Sequence, residues 1–112
     1  MPTLRENKRY ILFEVISERP ILDVKGVTEA ITRKALEFLG ELGMARADIK
    51  TLSDTWNSGT QRGVVCVSHD FVDEARSVLM LVTMISNTKV TIKTIKTSGV
   101  INKLIPKDKN MR

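Results

Sequence analysis

Residues Gly63 to Ser68, GVVCVS, run without a break into HDFVDEARSVLMLVTMIS, which ends at Ser86. The opening run is short, β-branched and bounded by a capping candidate, so it reads as a buried strand. Apolar residues then recur at Phe71, Ala75, Val78, Val82 and Ile85, steps that keep them on one helical face. Ser68 or Asp70 stands where a helix N-cap belongs. The stretch therefore predicts a strand followed by a helix over Asp70 to Ser86. Downstream, KVTIKTIKT from Lys89 to Thr97 alternates Lys and Thr with Val90, Ile92 and Ile95, the pattern of a strand with one wet face.

The same order stands upstream. KRYILFEVISE, Lys8 to Glu18, has no Gly or Pro and carries apolar residues at both parities, Ile11/Phe13/Val15 and Tyr10/Leu12/Ile16. That pattern predicts a central strand covered on both sides. Pro20 ends it, Asp23 is placed to cap a helix, and Val27, Ile31, Ala35, Leu39 and Leu42 keep a helical period up to a stop at Gly43. Ile49 to Trp56 is a strand with weaker alternation, and Asn57-Ser58-Gly59 is a turn.

Strand, helix, strand, strand, helix, strand is the split βαβ order. The expected fold is α+β, a ferredoxin-like or RNA-recognition-like βαββαβ sandwich with an antiparallel sheet and helices on one face. Its other face would be free to meet RNA, a partner or a ligand. A chain of 112 residues, 42% hydrophobic, supports one modest core. We expect a single domain over residues 1–112, with residues 1–7 and 104–112 as flexible ends.

Charge is unevenly spread. Residues 87–112 hold seven Lys/Arg against one Asp, a net +6, while residues 1–86 hold eleven against twelve. Such asymmetry fits a polyanionic partner or a solvated basic tail. No apolar run approaches the ~20 residues that span a bilayer, and no signal-peptide pattern follows the charged start, so a cytoplasmic protein with no membrane partner is expected.

Catalytic groups are sparse. The one histidine, His69, neighbours Asp70 at a helix start, where adjacent residues do not face each other, so a capping or surface role is expected. Phosphate-loop, nucleophile-elbow and metal-ligand spacings are missing, and the single cysteine, Cys66, reads as a small buried hydrophobe in a strand. Aromatics make up 4% of the chain, too few for a base-stacking platform, so lysines meeting the nucleic-acid backbone fit better. Tyr10 or Phe13 could stack on a base, but either is more often core. The second helix carries more apolar surface than one sheet face can cover, and Leu79, Met80, Leu81 and Met84 are expected against another subunit.

Three stretches in order, Lys8 to Glu18, QRGVVCVSHDFVDEARSVLMLV from Gln61 to Val82, and VTIKTIKTSGVINK from Val90 to Lys103, resemble the ribonuclease P protein component 2 family of archaeal type. Arg9-Tyr10 opening the first strand and Ser98-Gly99 before an apolar residue are its particular markers. The resemblance implies a non-catalytic subunit of an endoribonuclease that removes the 5′ leader of precursor tRNA. On that resemblance the RNA is expected to perform a Mg²⁺-dependent cleavage and the protein to bind no cofactor. The implied partners are the ribonuclease P RNA, component 3 and other protein subunits of the particle, and precursor tRNA indirectly, with a second copy of the chain as a further candidate. The resemblance carries RNA contacts to Arg9, Lys93, Lys96 and Lys103. Where the family commonly has a basic residue this chain has Cys66, and the chain stops soon after its last strand, as an archaeal member would. Two other readings stay open: a generic RNA-binding or ribosome-associated ferredoxin-like domain, and a small-molecule regulatory module of the same fold.

Overall fold

The structure, a computed structural model, describes residues 8–101 and residue 104. Strand β1 (Lys8–Ser17) leads into helix α1 (Val24–Ala47), followed by β2 (Lys50–Asn57) and β3 (Arg62–Ser68). One turn of 3-10 helix, His69–Phe71, opens α2 (Val72–Leu81), and β4 (Met84–Ile85) and β5 (Thr88–Ser98) complete the order. The strands form one antiparallel sheet in the order β2-β3-β1-β5-β4. Helix α1 thus carries the chain past β3, and α2 carries it past β1. Crossovers of this kind are almost always right-handed, which lays both helices on the same side of the sheet. Apart from the short β4 this is the expected ferredoxin-like arrangement.

Alternation along the strands explains the core. Ile11, Phe13 and Val15 of β1, Val65 and Val67 of β3, and Val90 and Ile92 of β5 join Val27, Ile31 and Ala35 of α1 and Ala75, Val78 and Leu79 of α2 in one buried cluster. Its largest member, Phe13, lies with its ring centroid 6.3 Å from that of Trp56. Gly63 is what lets these rings close over β3, since a Cβ there would sit 3.1 Å from Phe13 Cζ and 3.2 Å from Trp56 Cε3. Gln61 pins the far end of β1: its side-chain amide donates to the Val15 carbonyl at 2.7 Å, and its side-chain oxygen accepts from the Ile21 N–H.

Four expectations need correction. Asp23 does cap α1, its carboxylate accepting from the Lys25 N–H at 2.9 Å, but the helix does not stop at Gly43. It breaks instead at Gly40, where φ 76 and ψ 173 are open to glycine and costly for other residues, and then continues to Ala47. The second helix ends at Leu81 rather than Ser86: Val82 is extended, Met84 and Ile85 form β4, and Ser86 and Asn87, both at positive φ, make the tight turn into β5. Val78, Val82 and Ile85 suit a helical period, yet β-branched Val82 and Thr83 and the turn chemistry of Asn87 favour the hairpin, which still buries Ile85 fully. The second face of β1 is only partly covered, with Tyr10 and Leu12 half-buried and Ile16 exposed. Finally, Leu104, expected to begin a free end, is buried and donates its N–H to the Ile101 carbonyl. Residues 1–7 and 105–112 lie outside the described residues.

Candidate nucleic-acid interface

The sheet face away from the helices has a different chemistry. Strand pairing aligns Leu52 of β2, Val64 of β3, Leu12 of β1 and Lys96 of β5 in one row across it, with Lys50, Cys66, Tyr10 and Ser98 in the next. Arg62, Glu14 and Lys93 form a third row. Val64 is completely buried without belonging to the helix-side cluster, so the middle of this face is covered at that position. Cationic residues surround that middle.

Their alignment depends on a bulge. Leu12 pairs with Lys96 but Phe13 pairs with Thr94, leaving Ile95 as an extra residue in β5. In an unbroken strand, positions three apart face opposite ways. With Ile95 looped into the bulge, Lys93 and Lys96 both stand opposite residues of the non-helix parity, Glu14 and Leu12. Lys89 shares the parity of Lys93 through the regular pairing of Val90 with Ser17. All three lysines are exposed, and none has an ion-pair partner among the described residues. The neighbouring cations differ: Lys8 bonds Asp48 at 2.6 Å, Lys50 lies 3.9 Å from the same carboxylate, and Arg62 meets Glu14 at 3.3 Å.

Of the other residues expected to meet RNA, Arg9 stands at the opposite parity, paired with Val67, and its guanidinium donates to the Lys8 carbonyl and lies against Gly99. It is adjacent to β5 but does not share the lysines' face. Lys103 lies outside the described residues. Among the apolar positions expected at a protein contact, Met80 (69% exposed), Leu81 and Met84 are on the surface, whereas Leu79 is sealed in the chain's own core at 1%. The α2 stripe points Leu79 inward with Ala75 and Val78, so it drops from that set, and Met84 sits on β4 rather than on the helix.

Cys66 is half-buried beside Tyr10 and Lys50 in register, and burial pushes its thiol up from its ordinary value, so it is a neutral thiol at physiological pH. His69 and Asp70 do approach, Nδ1 to Oδ1 at 3.2 Å, but both are exposed, and no side-chain cap bond is made at the start of the 3-10 turn or of α2. No helix among the described residues is long and apolar enough to cross a membrane.

A sequence profile of the Rpp14/Pop5 family matches residues 9–106, which takes in every strand and helix described above except the first residue of β1. The chain belongs to the Rpp14/Pop5 family. Among its relatives, the ribonuclease P protein component 2 of Thermococcus kodakarensis is 39% identical over 103 residues, spanning 92% of this chain and 83% of the relative. That of Thermococcus gammatolerans is 41% identical over the same shares. That of Methanosarcina acetivorans is 33% identical across 96% of this chain and 77% of its own length. A chain in the cryo-EM structure of yeast ribonuclease MRP superposes with a TM-score of 0.64, covering 86% of this chain and 76% of that one at 11% identity, a likeness of fold alone.

For this Rpp14/Pop5 member, the resemblance noted in the sequence is therefore correct as to family. The feature the sequence reading missed is the bulge. Its signal is a slip of phase: Val90 and Ile92 share one parity and Ile95 takes the other.

Proposed function

We propose that the chain is the component 2 subunit of ribonuclease P, the ribonucleoprotein that removes the 5′ leader of precursor tRNA. It acts by binding and supporting the catalytic RNA together with component 3, and supplies no group to the cleavage itself. The family match over residues 9–106, with relatives named as that subunit, is the observation that carries the reading. The cationic, partly uncompensated face of the sheet supplies what the role needs, since lysines that neutralise phosphates let a folded RNA approach itself and its substrate. Hydrolysis with Mg²⁺ is the RNA's share. Exposed Met80, Leu81 and Met84 offer an apolar patch for the protein partner.

The test is the identity of the RNA recovered with the tagged chain from its own cells. The expected result is strong enrichment of the ribonuclease P RNA over ribosomal RNA. Enrichment of ribosomal RNA, or of none, would replace this reading with a generic RNA-binding domain or a regulatory module.

A further inference from the structure

We propose that the bulge at Ile95 is a positioning device that turns β5 into a phosphate-contacting rail, with Lys89, Lys93 and Lys96 meeting the RNA backbone from the sheet face opposite the helices. The proposal rests on the ribonuclease P reading for the identity of the RNA and goes beyond it in naming the surface and its mode of recognition.

Three observations converge on β5. First, the bulge is what places Lys93 and Lys96 on one side, since strict alternation would send one of them toward the helices. Second, these lysines differ electrostatically from the other cations of the same face. Lys8 and Lys50 share Asp48, and Arg62 is held by Glu14, whereas Lys89, Lys93 and Lys96 have no carboxylate within ion-pair distance among the described residues. Their charge is therefore available to an external anion. Third, β5 is an edge for most of its length, because β4 pairs only with Thr88 and Lys89, so nothing in the sheet lies beyond Lys93 and Lys96. At about 3.3 Å per residue the rail extends roughly 20 Å, enough to follow several phosphates.

The same face argues against base reading. Domains that read single-stranded RNA on a sheet stack bases on exposed aromatic rings. Here Tyr10 is half-buried, and Val64, at the centre, is sealed. A rim of lysines around a covered middle can hold a backbone, and the half-buried Tyr10 is the one ring this face brings near a base among the described residues. Recognition by this face is thus independent of sequence, and specificity for the RNA comes from shape.

The experiment is a filter-binding titration of the full-length chain against its own ribonuclease P RNA, transcribed in vitro, over a series of salt concentrations. Three proteins are compared: the parent, Lys93→Gln/Lys96→Gln, and the helix-side control Arg33→Gln/Arg46→Gln, which removes the same charge from exposed positions of α1. Each lost phosphate contact lowers the slope of log affinity against log salt by roughly 0.7 to 0.9. The sheet-face pair should therefore flatten the slope by about 1.4 to 1.8 and weaken binding, while the control keeps the parent's slope. Circular dichroism melting of all three separates loss of contact from loss of fold. Equal flattening by both pairs would mean that net charge alone matters and would overturn the proposal, as would an unchanged slope for the sheet-face pair. A parent chain that binds this RNA no better than an unrelated one of equal length would instead remove the ribonuclease P reading, and the rail with it.

Discussion

The two faces of the sheet are built from alternate residues of the same strands, yet they do different work. On the helix side, Ile11, Phe13, Val15, Val65, Val67 and Ile92 close a continuous apolar core against α1 and α2. On the other side, one residue along in each strand, stand Leu12, Glu14, Cys66, Lys93 and, after the bulge, Lys96. The first face decides whether the chain folds. The second has a covered centre and a charged rim, and its chemistry can vary without disturbing the core. A period of two residues is what allows one short strand to carry both instructions.

The largest effect expected on this division comes from Phe13→Ala, which empties a completely buried site between the helices and Trp56. A loss of about 3–5 kcal/mol is expected in denaturant unfolding, enough to leave a domain of this size marginal. Lys93→Gln/Lys96→Gln should shift stability by no more than about 0.5 kcal/mol in the same assay. Comparable losses from both variants would break the division between the faces.

A smaller effect tests the break in α1. Gly40 adopts a φ of 76 with open space around its missing side chain, so Gly40→Ala meets backbone strain rather than a clash. The expected cost is about 1–3 kcal/mol, read as a lower melting temperature with RNA affinity per folded molecule unchanged. A variant as stable as the parent would show that α1 can straighten through Gly40 without penalty.

The smallest effect lies where α1 hands over to the charged face. Asp48 is at the end of α1 with φ 52, and its hydrogen bond from Lys8 holds its carboxyl below its ordinary 3.8 while raising the Lys8 ammonium above its ordinary 10.5. The stabilisation is complete between those two ordinary values. It is lost as pH falls from 3.8 through the lowered Asp48 value, and again as pH rises from 10.5 through the raised Lys8 value. Both side chains remain partly exposed, so solvent screening limits the pair to about 0.2–1 kcal/mol. Asp48→Asn keeps a residue that tolerates positive φ and should remove this contribution at neutral pH, measured by urea unfolding at pH 7 against pH 3. An equal gap between variant and parent at both pH values would show that the charge is not the cause.

The core was legible in the sequence because burial imposes a period. Val27/Ile31/Ala35 were placed by helical spacing and the βαββαβ order followed, whereas in β1 both Ile11/Phe13/Val15 and Tyr10/Leu12/Ile16 read as covered and only packing separates the two faces. The hairpin at β4 was not legible in the same way, since Val78, Val82 and Ile85 satisfy a helix while Ile85 satisfies a strand equally well. Leu79 and Met80 look alike in sequence, and only packing distinguishes the core residue from the exposed one. For the candidate interface, the family resemblance pointed to Lys93 and Lys96, but their shared face depends on how β5 pairs with β1, a long-range fact. Arg9 stands next to β5 in the sheet, at the opposite parity to the lysines, which again only the strand pairing reveals.

The most direct test of the claim that this chain works through RNA is cleavage of precursor tRNA at several Mg²⁺ concentrations. The reactions compared are the RNA alone, the RNA with the chain and component 3, the chain alone, and the complete particle after nuclease digestion of its RNA. The expected result is no cleavage by the chain alone or after digestion, and a stimulation by the proteins that is greatest at low Mg²⁺, where added cationic surface best offsets phosphate repulsion. Cleavage by the chain that survives complete removal of RNA would contradict it.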